Sequence, residues 1–275
     1  MTRMVVLITV CWCLLAANAS AQTIHAVLVG DTTDPTIGVG ITENLRKMRN
    51  FLQQAQTEGE LNIVVTEVKD AAFNCPSIVK AVKALPVQAD DTVVFYYSGH
   101  GFRRVNTQTQ FPEFDCRRTQ DPDRAELAGV ANLVLKPPAG STTPPRLVIA
   151  IADTCNRQIE LPEQAVGPAA AGVRPSRKAA FRRLFLQYSG TLMMSGSTPG
   201  EFSWYMNSGL QIGGFFTNQL LRAIDSKMVI QVADVRWEDI ATDASKKIFI
   251  PRLEEETTQT PQFAMLNLSA QSAPR

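Results

Sequence analysis

Two unbroken apolar runs, each halted by a small polar cluster, constrain this chain more than any other feature. Thr92-Val93-Val94-Phe95-Tyr96-Tyr97 stops at Ser98-Gly99-His100-Gly101, and Leu147-Val148-Ile149-Ala150-Ile151-Ala152 stops at Asp153-Thr154-Cys155-Asn156. Runs of this length, rich in β-branched and aromatic residues, read as central strands of a parallel sheet buried on both faces. Chemistry in such sheets collects just beyond the carboxyl ends of the strands. One run delivers an imidazole there and the other a thiol. If the two strands are neighbours, with backbones about 4.8 Å apart, the two side chains can meet.

The segments before these runs alternate between strand and helix patterns. Residues 24–30 form a first apolar strand, 31–40 a loop at its carboxyl end, and 41–55 a helix with Ile41, Leu45, Met48, Leu52 and Ala55 on one face. A strand over 61–68 and a helix over 75–85 precede the histidine strand. A helix is expected over 123–135, then an extended connector around Pro137-Pro138 and Pro144-Pro145. Past the cysteine strand come a segment rich in Pro, Gly and Ala, a helix over 178–188, a strand over 191–195, a helix within 209–224 and another carrying Trp237 and Ile240. A final edge strand covers 262–267. The β-α-β-α-β opening implies right-handed crossovers and helices on both sheet faces, an α/β class.

The amino terminus reads as a targeting signal: Arg3, an apolar stretch over 4–15, and Ala19-Ser20-Ala21 as a cleavage site. That stretch is too short to span a bilayer as a mature helix, and no small residue precedes Cys11 or Cys13 as a lipoprotein signal would need. Residues 22–275 remain as one domain of an exported, soluble protein. Removal of the signal takes out one arginine and no acid, leaving charge balanced. That argues against nucleic acid or an anionic membrane surface as the main partner. Three cysteines stay behind, Cys75, Cys116 and Cys155. In an oxidising compartment an odd count leaves one thiol over: either Cys75 and Cys116 pair and Cys155 is free, or Cys75 packs as a small hydrophobe.

Tyr96-Tyr97-Ser98-Gly99-His100-Gly101 followed by Ala152-Asp153-Thr154-Cys155 resembles the histidine and cysteine motifs of the caspase-like cysteine peptidases, a likeness that extends over residues 24–268. The resemblance implies a three-layer sandwich around a mostly parallel six-stranded sheet, with an antiparallel final strand. It also implies a peptidase acting on polypeptides through a His100/Cys155 dyad, with no cofactor and no third catalytic residue. His100 would be the general base, Cys155 the nucleophile, and the amides of Gly101 and Cys155 the oxyanion donors. Metacaspases and paracaspases cut after Arg or Lys and carry an Asp two residues before the nucleophile, as Asp153 does here. Their second acid, at the start of the first helix, aligns with Asn44, with Glu43 beside it. Caspases that cut after Asp use an arginine from the loop after the first strand, and residues 31–41 contain none. Asn156-Arg157 departs from the usual His-Ser-Gly. The competing reading is a secreted pseudo-protease that keeps the fold as a binding module.

The remaining motifs carry less. His25 lies inside the first strand and reads as structural. Arg174, Arg177, Lys178, Arg182 and Arg183 form a basic cluster, read as a solvated face or as a self-processing linker with Arg174 and Arg177 as cleavage points. Arg103 and Arg104 read as a solvated loop. Thr198 stands where a serine-hydrolase elbow needs serine, and no His/Cys cluster has zinc spacing, so no metal ligands are assigned.

Overall fold

The computed structural model describes residues 22–104, 109–116, 127–135, 144–155, 176–207, 212–250 and 257–271. The signal over 1–21, the connector over 136–143, Asn156, Arg157 and Arg174 lie outside the described residues, as does the expected start of the third helix at Asp123.

Six strands build one sheet: β1 (Thr23–Gly30), β2 (Asn62–Lys69), β3 (Thr92–Ser98), β4 (Leu147–Asp153), β5 (Tyr188–Ser195) and β6 (Gln262–Ala270), in the order β6-β5-β4-β3-β1-β2. All neighbours run parallel except β6, which pairs antiparallel with β5. β3 and β4 are buried at every position because both sit inside the sheet and are covered on both faces. β2 and β6 are the edges.

Alternation along each strand divides the interior into two cores. Leu28, Tyr96, Ile149, Ile151 and Met194 face helices α1 (Gly38–Gly59), α4 (Lys178–Leu186), α5 (Phe215–Ile230) and α6 (Trp237–Ala244). Val29, Phe95, Tyr97, Ala150 and Ala152 face α2 (Cys75–Lys83) and α3 (Leu127–Leu135). The five α1 residues picked out by their spacing are all buried. α2 starts where expected because Asn74 accepts from the Ser77 amide at 2.8 Å and Pro76 follows in the first turn.

Departures from the sequence reading are local. β5 begins at Tyr188, since its ladder with β6 extends back to Ala270. The stretch after His100 is not only loop: Gly101–Phe102 pairs antiparallel with Glu113–Phe114. His25 is buried against Asp91 at 3.2 Å, and that carboxylate also accepts from the Thr23 and Gln88 amides, a structural arrangement.

Lys178 and Arg182 are exposed, as a solvated face requires, but Arg177 departs from the reading of an exposed, cleavable residue. Its side chain is 1% exposed, with the guanidinium bonded to both carboxylate oxygens of Glu58, to Asp225 at 2.7 Å and to Gln54 at 2.9 Å. It also lies over the Phe181 ring at 5.1 Å. The residue locks the start of α4 to α1 and α5, and a peptidase could not use it as a cleavage point in the folded chain. Arg104 is likewise engaged, with Glu113 at 3.2 Å.

Cys75 and Cys116 form a disulfide, closing a sequence separation of 41 residues, and Cys155 is free. The bridge ties the start of α2 to the chain just past Glu113–Phe114.

Two expectations follow. Arg177→Ala should lower stability by about 2 kcal/mol, the scale of lost charge-assisted hydrogen bonds, seen as a melting point several degrees lower; an unchanged melting point would contradict the locking role. The unfolded but oxidised protein should show one titratable thiol. Reduction should remove up to about 3–4 kcal/mol of stability on the chain-entropy account of a loop this long, measured by denaturant titration with and without reductant.

Candidate active site

The β3–β4 ladder pairs Ser98 with Asp153 as its last rung. His100 and Cys155 each lie two residues past that rung, so both emerge at one rim of the sheet. The turn holding His100 is fixed by its backbone. The Gly99 amide donates to the Asp153 carbonyl at 3.2 Å, and the His100 carbonyl accepts from the Asp115 amide at 2.9 Å and from Tyr97 Oη at 2.6 Å. Tyr97 in turn stacks on Phe114, with centroids 3.9 Å apart.

Gly101 must be glycine for lack of space. A Cβ there would lie 2.2 Å from Thr154 Oγ1 and 2.9 Å from the Glu113 carbonyl. Because Asp115 donates to His100, Gly101 faces Phe114 as a non-hydrogen-bonded pair, and its N–H turns away from that partner strand. The neighbouring Thr154 hydroxyl is buried and has no hydrogen-bond partner among the described residues.

Cys155 is partly exposed. Its sulfur accepts from the Ser203 amide at 3.4 Å, and its S–H faces the Ser203 carbonyl at 3.6 Å. Burial pushes the thiol up to about 11; the Asp153 charge adds to the rise and the Ser203 amide opposes it. The resting group is therefore a thiol. No hydrogen bond joins Cys155 to His100 among the described residues. The imidazole Nε2 instead lies 3.1 Å from Asp34 Oδ2.

Asp153 and Asn44 come together, fully buried, beneath Gly213 and Gly214. The Asp153 carboxylate accepts from Ser203 Oγ at 2.6 Å, Thr217 Oγ1 at 2.5 Å, the Thr217 amide at 3.0 Å and Asn44 Nδ2 at 3.3 Å. Asn44 Nδ2 also reaches Ser98 Oγ at 3.0 Å, while its Oδ1 accepts from the Gly214 amide at 2.9 Å. An acid at position 44 would repel Asp153, whereas the amide solvates it. Burial raises the Asp153 pKa above the usual carboxylate range, against the bonds donated by Ser203, Thr217 and Asn44. A Cβ at Gly214 would come within 2.0 Å of its Oδ2, so the backbone itself forms the roof.

Asp34 and Ser203 were not singled out in the sequence. Asp34 had a readable signal, since Asp34-Pro35-Thr36 sits just before a helix and at the carboxyl end of a strand. Ser203 had none, because its place beside Cys155 is set by the packing of a remote turn. No group of three or more His, Cys, Asp or Glu side chains that could hold a metal ion occurs among the described residues.

In chemical terms, the rim gathers a nucleophilic sulfur, an imidazole, a carboxylate behind that imidazole and an amide turned out of its ladder. A model of the caspase domain matches residues 26–271. Among solved structures, caspase-1 from Spodoptera frugiperda aligns with a TM-score of 0.51 over 90% of each chain at 10% identity, a likeness of fold. No curated protein sequence matches. The family match spans nearly the whole described sheet: the chain belongs to the caspase-domain family of cysteine peptidases.

Proposed function

We propose that this protein is an exported cysteine endopeptidase in which Cys155 attacks the peptide carbonyl and His100 takes its proton, with a preference for Arg or Lys before the scissile bond. The observation that carries the reading is the terminal Ser98–Asp153 rung, from which the chain runs two residues to His100 on one side and two to Cys155 on the other, both at one rim. With the thiol pushed up to about 11, only about one molecule in ten thousand would carry a thiolate at neutral pH. The proton must then leave as the sulfur attacks, the role of a positioned general base.

In the first step the S–C bond forms and the proton moves to His100. The Gly101 and Cys155 amides receive the developing oxyanion. Collapse breaks the C–N bond, and the amine departs with the proton from His100. Water, deprotonated by the same imidazole, then hydrolyses the thioester. The Ser203 contacts on sulfur must loosen for this to happen.

The preference for a basic residue is supported by the Asp153 field. The carboxylate is surrounded by neutral donors, and no cation pairs with it among the described residues. When ionised, its charge is uncompensated beneath the rim formed by Cys155 and Ser203. A substrate cation at the rim gains from that field across the Gly213–Gly214 backbone, while a substrate Asp would be repelled by it. Export is supported by the signal-like amino terminus together with the disulfide. The second reading, a pseudo-protease binding module, draws on one observation: Cys155 is tied to Ser203 and unbonded to His100.

A peptidyl electrophile should label the wild type and not Cys155→Ala. If neither is labelled and neither cleaves peptides, the binding-module reading takes its place. Alkylation of the resting thiol by iodoacetamide should keep rising from neutral pH toward about 11; a plateau below neutrality would show a pre-formed thiolate instead. Asp153→Asn should lower kcat/KM for arginyl substrates relative to neutral ones through loss of the carboxylate's field, not of a direct contact, since the group is fully buried and its oxygens are already bonded. The same change should speed alkylation, because it removes a charge that raises the thiol pKa. Since burial raises the Asp153 pKa, the arginine preference is present above that raised value and is lost as pH falls through it. Efficient cleavage after Asp would sink the specificity.

A further inference from the structure

The loop between β1 and α1 contributes a side chain that the dyad description leaves out. Asp34 Oδ1 is saturated: it accepts from the Thr36 amide at 2.8 Å, Thr36 Oγ1 at 2.6 Å and the Ile37 amide at 2.9 Å. Three donors converging on one oxygen fix the plane of the carboxylate. The loop itself is pinned, with the Gly38 amide on the Asp34 carbonyl at 3.0 Å, Thr32 on Asp70, and Asn207 Nδ2 on the Thr36 carbonyl. The other oxygen, Oδ2, then has a set position, 3.1 Å from His100 Nε2. Both side chains are largely buried, 17% and 15% exposed. Burial alone would raise the Asp34 pKa, but the Thr36 and Ile37 bonds and the nearby His100 outweigh it and hold it below the usual value.

We infer that Asp34 is the positioning residue of this site: it fixes His100 as the Nε2–H tautomer and so leaves Nδ1 as the base for the Cys155 thiol. An ionised carboxylate only accepts hydrogen bonds, so the ring nitrogen facing it must carry the proton, and the neutral imidazole keeps its lone pair on Nδ1. When Nδ1 takes the thiol proton, the imidazolium that forms lies against the Asp34 charge and is stabilised by it. No second proton moves, and Asp34 stays ionised throughout. The inference deepens the peptidase reading and rests on it for the catalytic consequence, though the tautomer can be measured without turnover.

Asp34→Asn tests this with little change of shape. The three donors at the Oδ1 position oblige the amide oxygen to sit there, which turns the amide NH2 toward Nε2. A donor then opposes a donor, and the ring must carry its proton on Nδ1, the wrong nitrogen for a base. The template is the serine-protease triad, where the same Asp→Asn change costs about 10⁴ in kcat through the wrong tautomer. We expect kcat to fall by roughly 10²–10⁴-fold on that template, with KM within about threefold and an unchanged melting point.

Nitrogen-15 NMR reads the tautomer directly, and His25 is the only other histidine in the chain. In the neutral ring, which the same nitrogen-15 shifts distinguish from the imidazolium, His100 should be Nε2–H in the wild type and Nδ1–H in Asp34→Asn. An Nδ1–H signal in the wild type would overturn the assignment even if the variant failed to fold. So would a folded variant with unaltered tautomer, or with unaltered kcat. A wild type inert toward peptides that still shows the expected tautomers would overturn the peptidase reading and leave the Asp34 assignment standing.

Discussion

One buried carboxylate organises the functional end of the molecule. Asp153 closes β4, and its acceptor positions are filled from α1 by Asn44, from the turn after β5 by Ser203 and from the first turn of α5 by Thr217. Leaving such a charge buried without donors would cost several kcal/mol, so these three elements must converge wherever β4 ends. Their convergence in turn brings the Ser203 backbone to Cys155 and the Gly213–Gly214 backbone over the carboxylate. The position of Cys155 is thus a by-product of solvating the residue two places before it.

The same residue shapes reactivity at a distance. Burial of the rim, with the Asp153 charge adding to it, acts against a thiolate, so in the proposed mechanism the imidazole carries the chemical burden. An imidazole used in that way needs its proton on the correct nitrogen, and the loop after β1 supplies the carboxylate that can dictate it. The two aspartates therefore stand in different relations to the rim: burial first and the Asp153 charge after it hold the Cys155 thiol protonated at rest, and Asp34 lies against Nε2 of the imidazole.

The parts legible in the sequence are those governed by periodicity and punctuation. The central strands, the inward face of α1, and the strand ends at Ser98 and Asp153 follow from unbroken apolar runs and their terminators, and β3 and β4 match them to within a residue. What stayed hidden depends on partners far along the chain. Arg177 looked like one of several loop arginines because nothing nearby shows that Glu58, Gln54 and Asp225 converge on it. Asn44 looked like a weakened acid until the carboxylate beside it made an amide the better neighbour. Ser203 touches Cys155 through backbone atoms, which any residue type could supply.

The anchoring of Arg177 bears on how the chain would tolerate a nick. The two halves of the sheet on either side of residues 156–175 meet along the β4–β5 ladder, from Leu147–Gly190 to Ala152–Ser195. Arg177 then rivets the second half to α1 of the first through Gln54 and Glu58. A covalent break between Cys155 and Arg177 leaves the described β4–β5 ladder and the Arg177 bonds to α1 in place, and the chain-closure entropy it releases grows slowly with length. The two fragments would stay together as a single particle, held by the same sheet, and separating them would require pulling a fully buried strand out of the middle of the protein.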